Sequence, residues 1–266
     1  MIPKDLKIQT QNTWCPGCAN FGIDAAFKLA INELIAEGMA RENFVVVSGI
    51  GCHAKIVDYL NLNSVYSLHG RPVPLATGVK LANPNLKVIV FEGDGDAYDE
   101  GIEHLIHAAK KNTDITVIVH NNRLFALTTG QFTATSPKGF VGRSTPQGSV
   151  EEPFNPISLM LADKASFVAR GYALKNDHLK DLIKQAIKHE GFSFIDVLQP
   201  CLSYFNNIDF YNQKIYELDS THDSKNFDLA FAKSREWDYS ADVKSIPIGL
   251  FYCKDVATYE KSILGL

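Results

Sequence analysis

Residues 87–122 read KVIVFEGDGDAYDEGIEHLIHAAKKNTDITVIVHNN. Two short apolar runs, 87–91 and 115–119, bracket a segment with Ile102, Leu105, Ile106 and Ala109 at helical spacing. Strand, helix, strand in that order predicts a parallel pair joined by a right-handed crossover. The first strand runs into Gly93-Asp94-Gly95-Asp96 and the second into Asn121-Asn122. Open parallel sheets bind ligands beyond the carboxyl ends of their strands, so Asp94 and Asn122 are expected on one rim. A carboxylate, an amide oxygen and a backbone carbonyl are hard ligands suited to Mg²⁺. Glycines let the backbone approach a diphosphate closely. A dinucleotide fingerprint would need Gly where Tyr98 stands, and no G-x-x-x-x-G-K-[ST] occurs. Alone, each of the two short motifs is also what an ordinary turn looks like.

Working outward, 21–38 carries Ile23, Phe27, Ala30, Ile31 and Leu34 on one helical face, with Gly38 as the stop. Residues 44–47 predict a buried strand, followed by Ser48-Gly49-Ile50-Gly51. Residues 73–82 predict a helix that ends at Asn83-Pro84. Residues 128–150, rich in Thr, Gly, Ser and Pro, predict a long loop of the kind that is functional or mobile. Helices are expected over 155–171 and 178–189, and a strand over 192–198, ending at Gln199-Pro200-Cys201. Beyond about 206 no sheet-forming rhythm is visible. The expected fold class is α/β, a mostly parallel sheet with helices on both faces. Residues 1–205 would form the ligand-binding domain, and 206–266 an extension packing on it or on a partner.

The chain has 266 residues, 45% hydrophobic and 21% charged, enough for a full core. A formal net charge of −4 argues against binding nucleic acid through bulk charge. The N-terminal MIPKDLKIQTQNTW has no apolar leader, and no run approaches the ~20 apolar residues of a membrane helix. A soluble cytoplasmic protein is expected, one that binds neither membrane nor nucleic acid.

A reducing compartment argues against a disulfide framework for the five cysteines. Cys15-Pro16-Gly17-Cys18 precedes the first helix, while Cys52 and Cys201 follow buried strands on the Asp94 rim. Four thiolates can therefore converge. By spacing alone they fit tetrahedral zinc or an iron–sulfur cluster, and Cys52 and Cys201 also fit simple buried residues.

The stretch 93–122 resembles the thiamine diphosphate and Mg²⁺ motif. In its full wording it is similar to the β subunit of 2-oxoacid:ferredoxin oxidoreductases. The likeness runs from about Asn12 to Cys201 and more loosely through IPIGLFYCKDVATY at 246–259. It implies a thiamine-diphosphate-binding fold and a [4Fe–4S] cluster on Cys15, Cys18, Cys52 and Cys201, matched by WCPGC, GIGC and QPC. It implies Mg²⁺ on Asp94, Asn122 and the Leu124 carbonyl. Ile50, Gly51, Cys52, His53, His69 of HGR, Gly93, Gly95, Asp96, Ala126 and Leu127 would line the cofactor. Lys55 and Leu127 fall on the substrate side. Cys253 matches no ligand, and His104 and His107 belong to a helix surface. Ala19, His53 and Thr128-Thr129-Gly130 depart from the commoner pattern without removing a ligand.

The implied reaction converts a 2-oxoacid and CoA, with oxidised ferredoxin, to acyl-CoA, CO₂ and reduced ferredoxin. The acid could be 2-oxoglutarate, pyruvate, a branched-chain oxoacid or a broad range, and HGR, Lys55 and the tail lean towards 2-oxoglutarate or broad 2-oxoacids. An α subunit would supply the glutamate beside the aminopyrimidine, giving an αβ or α₂β₂ enzyme, and an acidic ferredoxin would need a local basic patch. Competing readings are a non-redox decarboxylase or carboligase, and a zinc-bearing assembly subunit.

Overall fold

The computed structural model describes residues 6–265; residues 1–5, on which the expectation of no apolar leader partly rests, and Leu266 lie outside the described residues. The first half alternates helix and strand: α1 (Asn20–Ala36), β1 (Phe44–Ser48), β2 (Asn63–Tyr66), α2 (Pro72–Ala82), β3 (Lys87–Gly93), α3 (Ile102–Lys111) and β4 (Ile115–Asn121). A small flap comes after it, β5 (Leu124–Phe125) paired with β6 (Gln131–Phe132). The second half runs α4 (Pro156–Ala162), β7 (Phe167–Tyr172), α5 (Asn176–Lys188), β8 (Ser193–Leu198), α6 (Ile208–Lys214), β9 (Ile215–Glu217), α7 (Phe227–Ser234), β10 (Ile246–Cys253) and α8 (Tyr259–Leu264).

Eight strands form one sheet in the order β2-β1-β3-β4-β8-β7-β10-β9. All neighbouring pairs are parallel except β10 with β7. Strand β3 shows why its sequence is a continuous apolar run rather than an alternation. Ile89 and Phe91 pack towards α1 and α5, beside Phe27 and Ile183, while Val88 and Val90 pack towards α2, α3 and α4, beside Val73, Leu105 and Ile157. Both faces are covered by helices, so Val88 to Phe91 are apolar without a break. Each such buried side chain contributes ~1.5–3 kcal/mol of transfer free energy.

The 155–171 expectation of one helix is corrected. Asn155 caps α4 by accepting from the Ser158 N–H at 3.0 Å, and Pro156 occupies its first position. The helix stops at Asp163, where Lys164 turns with φ of 64°. Strand β7 comes next, and its apolar run hides the buried Arg170. A strand buried on both faces carries no period-2 signal, so it merged with the helix in the pattern.

The absence of strands beyond 206 is likewise overturned. Strands β9 and β10 complete the sheet edge. Pro247 and Gly249 mask β10, which also carries a register shift between Leu250 and Tyr252. The helix that carries Leu105, Ile106 and Ala109 begins only at Ile102, because Gly95–Glu100 form a wide π-type turn first. Gly101 ends that turn where a Cβ would stand 2.8 Å from the Gly70 carbonyl oxygen. Strand β2 is exposed at the sheet edge and has no sequence signal.

The C-terminal segment is tied to the sheet by charge as well as by strands. Asp196 of β8 is fully buried and accepts from Tyr98 Oη at 2.7 Å, Tyr239 Oη at 2.6 Å and Asn121 Nδ2 at 3.0 Å. Arg170 donates to Tyr239 Oη at 3.2 Å and to the Pro247 carbonyl at 3.0 Å. Burial raises the Asp196 carboxyl, opposed by these hydroxyls and by Arg170. Asp196→Leu strands three donors and leaves the Arg170 cation without its carboxylate. The expected loss is about 3–5 kcal/mol, read from the urea midpoint at unchanged slope.

Candidate active site

The carboxyl ends of β1, β3, β4 and β8 form one rim, and two adjoining cavities open along it. The first is bounded by the turn after β1, by His69, by 93–96 after β3 and by 122–128 after β4. Asp96 organises this end. Its Oδ1 accepts the Gly70 N–H at 2.6 Å and stands 3.1 Å from His69 Nδ1. Its Oδ2 accepts the Ile50 N–H at 3.1 Å and stands 3.1 Å from His53 Nε2. Gly49 is glycine for a steric reason: a Cβ there would fall 1.6 Å from Asp96 Oδ2. A Cβ on Gly95 would fall 2.2 Å from the Phe125 ring.

Asp94 is buried, and its Oδ2 accepts from Thr133 Oγ1 at 2.5 Å and Thr135 Oγ1 at 3.0 Å. Burial pushes its carboxyl up to about 7, the threonine hydroxyls pulling the other way. Thr135 also meets Asn121 Oδ1 at 2.9 Å, which joins Asp94 to the Asp196 network. Asn122 sits one residue on, its Oδ1 accepting the Leu124 N–H at 3.2 Å across a turn in which Arg123 has φ of 66°. The 128–150 loop is thus pinned at its buried threonines. Sequence reasoning missed Thr133 and Thr135, since T-A-T-S in a polar loop carries no mark of burial.

The second cavity, about 190 Å³, is lined by Cys15, Cys18, Cys52 and Cys201 together with Asn20, Lys55 and Gln199. Trp14 Nε1 donates to the Cys52 carbonyl at 2.6 Å and anchors that turn on the N-terminal segment. Burial raises Cys18 to about 11, the Asn20 backbone N–H opposes it, and the charges of Cys52, Cys201 and Cys15 add to the rise. Burial also raises Cys52, with Lys55 opposing. The four sulfurs therefore feel one another, and a shared cation relieves the cost of ionising them together. Among the described residues, no three His, Cys, Asp or Glu side chains close on one point as ligands of a single ion would. The thiols border a cavity instead, and of the two carboxylates lining the first cavity Asp96 is engaged by the chain, which leaves Asp94, a usual complement for Mg²⁺ held mainly by phosphate and water.

Every residue expected at the site lines one of the two cavities, and Cys52, Asn122, Ala126 and Leu127 line both. Cys253 lies at the end of β10, 3.8 Å from His189 Nδ1, outside both. His104 and His107 stand on α3, His104 beside Glu103 at 3.3 Å. No helix among the described residues is long and apolar enough to cross a membrane.

Residues 49–197 match the family described as thiamine pyrophosphate enzyme, C-terminal TPP binding domain. Residues 201–266 match the family of the C-terminal part of the pyruvate ferredoxin oxidoreductase β chain. The chain is 44% identical to the 2-oxoacid:ferredoxin oxidoreductase subunit beta of Saccharolobus solfataricus, over 97% of this chain and 87% of that protein. It is 44% identical to the 2-oxoglutarate synthase subunit KorB of Methanothermobacter marburgensis, over 72% of this chain and 66% of that one. Among solved structures it matches a 2-oxoglutarate:ferredoxin oxidoreductase from Magnetococcus marinus with 2-oxoglutarate, coenzyme A and succinyl-CoA bound. That match has a TM-score of 0.93 and 33% identity, and covers 100% of this chain and 89% of the other. A rim that joins a thiamine-diphosphate-type loop to a cavity of thiols thus sits in a chain of this kinship, and the chain belongs to the β subunits of the 2-oxoacid:ferredoxin oxidoreductases, oxidoreductases that work with a partner subunit.

Proposed function

We propose that this chain holds thiamine diphosphate with Mg²⁺ in the first cavity and a [4Fe–4S] cluster in the second. With its α partner it would carry out CoA-dependent oxidative decarboxylation of a 2-oxoacid, 2-oxoglutarate by preference, and deliver electrons to ferredoxin. The observation that carries this reading is adjacency: the two cavities share the wall formed by Cys52, Asn122, Ala126 and Leu127. Thiamine diphosphate, when bound, supplies the electron sink for decarboxylation, and the cluster supplies a one-electron exit.

The chain's own residues divide the work. Asp94, Asn122 and the Leu124 carbonyl offer Mg²⁺ three hard oxygens. Gly93 and Gly95 allow close backbone approach to the diphosphate, and His69 stands beside it. Asp96 acts mainly by positioning, since both its oxygens are engaged by the chain. Cys15, Cys18, Cys52 and Cys201 are the cluster thiolates. Lys55, half-buried at the cysteine cavity, offers its ammonium to a substrate carboxylate. Leu127, 48% exposed where the cavities meet, gives the substrate an apolar wall. Support for 2-oxoglutarate comes from the KorB relative and from the ligands of the Magnetococcus marinus enzyme. Exposed Ile50, Leu68 and Leu127 around the cleft offer an apolar surface for the α subunit to cover.

The reading is tested on the αβ complex purified without oxygen. Iron and sulfide at about four each per β chain, with bound thiamine diphosphate, are the expected result. Zinc without iron would replace the electron exit with a structural metal, and the β chain turning over 2-oxoacid unaided would remove the need for a partner.

Two variants probe the assignments. Gly49→Ala places a Cβ on the Asp96 carboxylate and should weaken thiamine diphosphate binding about tenfold or more by calorimetry. Lys55→Met removes a charge-assisted contact of about 1.5–3 kcal/mol. It should raise KM for 2-oxoglutarate about tenfold or more with iron content unchanged.

A further inference from the structure

Asn20 is the first residue of the 17-residue helix α1, and it is fully buried. It is among the residues that line the cavity of the four cysteines. Asn20 Oδ1 lies 2.8 Å from His120 Nδ1, at the end of β4. Asn20 Nδ2 has no hydrogen-bond partner within the chain. A buried amide NH₂ left without an acceptor is destabilising, so its retention calls for an acceptor in the cavity it borders.

The other amide at this cavity differs in that respect. Gln199 Nε2 already donates to the Pro200 carbonyl at 3.1 Å, and stands 4.0 Å from Cys18 Sγ. Gln199 Oε1 accepts from Asn122 Nδ2 at 3.1 Å. Its groups are committed, whereas the Asn20 NH₂ is not.

We propose that Asn20 is a positioning residue for electron transfer: its side-chain NH₂ donates to a sulfur of the cluster and raises the cluster's reduction potential, with His120 holding the amide in that orientation. The inference rests on the cluster reading above. Its physics is that of any donor at an iron–sulfur centre. Uptake of one electron adds one negative charge, spread over the cluster and its sulfurs. An N–H aimed at sulfur therefore stabilises the reduced form more than the oxidised form.

Orientation is what His120 supplies. An amide can present either oxygen or NH₂ to a cavity, and thiolates and sulfides accept only. In the tautomer that carries its proton on Nδ1, His120 donates to Oδ1 and leaves the NH₂ free for the sulfurs. The His120 ring is itself fixed, edge-on to Phe91 at 5.4 Å and tilted against His53 at 5.9 Å. His53 borders the other cavity, so the same ring stack spans the ground between the two sites.

The test is an EPR-monitored redox titration of the αβ holoenzyme, wild type against Asn20→Leu and His120→Leu, with iron and sulfide measured on each sample. Asn20→Leu should keep its iron and titrate at a lower potential. The expected shift is about tenfold in the reduction equilibrium, or 59 mV for one electron. His120→Leu should shift the same way by less. A full iron complement with the wild-type potential in either variant overturns the inference and leaves the cluster reading intact. Loss of the cluster from both variants overturns it in favour of a folding role. Wild-type enzyme without iron fails the underlying reading instead.

Discussion

One buried carboxylate, Asp96, is the fixed point on which the cofactor rim depends. It joins three segments that the chain keeps far apart: the turn after β1 through the Ile50 N–H, the turn before α2 through the Gly70 N–H, and its own loop after β3. His53 and His69 close on it from either side at 3.1 Å. Inside a protein an anion needs its donors in place, because the desolvation it suffers is otherwise unrecovered. The same donors that satisfy Asp96 therefore fix the geometry of the loops that would meet a diphosphate. This also explains why Gly49 and Gly70 are glycines. A Cβ at 49 collides with the carboxylate, and at Gly70, with φ of 68°, it would stand 2.5 Å from the Glu100 backbone.

A second network carries that order into the interior. From Asp94 it passes through Thr135 to Asn121, then to Asp196, Tyr239 and Arg170. Its members come from β7, β8, the end of β4, the 128–150 loop and the C-terminal segment. Buried polar networks are costly when half satisfied and rigid when complete. Asp94 is thereby held by elements that form only once the sheet is whole, out to β10.

Much of this was legible in the sequence, for physical reasons. The parallel core announces itself as apolar runs closed by glycine, aspartate and asparagine, because strand, turn and ligand chemistry fall within a few residues of one another. The family resemblance was carried by the same residues, and the relatives bear it out. Strand β7 was lost because burial on both faces erases alternation. Strand β10 was lost because Pro247 and Gly249 usually break strands. Here Pro247 lies where β10 pairs with the short outermost strand β9, ahead of its pairing with β7, so a missing N–H is tolerated. Thr133, Thr135 and Asn20 were illegible for another reason. Their importance lies in which atom across the fold they face, and no local pattern encodes that.

The cleft itself argues for the partner subunit. The ligand-bearing groups line it, but so do Ile50 and Leu127, which stand 39% and 48% exposed, and Leu68, next to His69 in the chain, is 75% exposed. Apolar side chains at the mouth of a polar cleft neither bind ions nor gain by facing water. Decarboxylation through an electron sink benefits from exclusion of water, which strengthens each charge interaction within the site. One chain with an open cleft cannot provide that, whereas a second wall laid on those side chains would bury them and close the cleft in the same step. On the proposed reading, the surface that drives association and the surface that dries the reaction would be one surface, and assembly and catalytic competence would be coupled through the area buried at the cleft mouth.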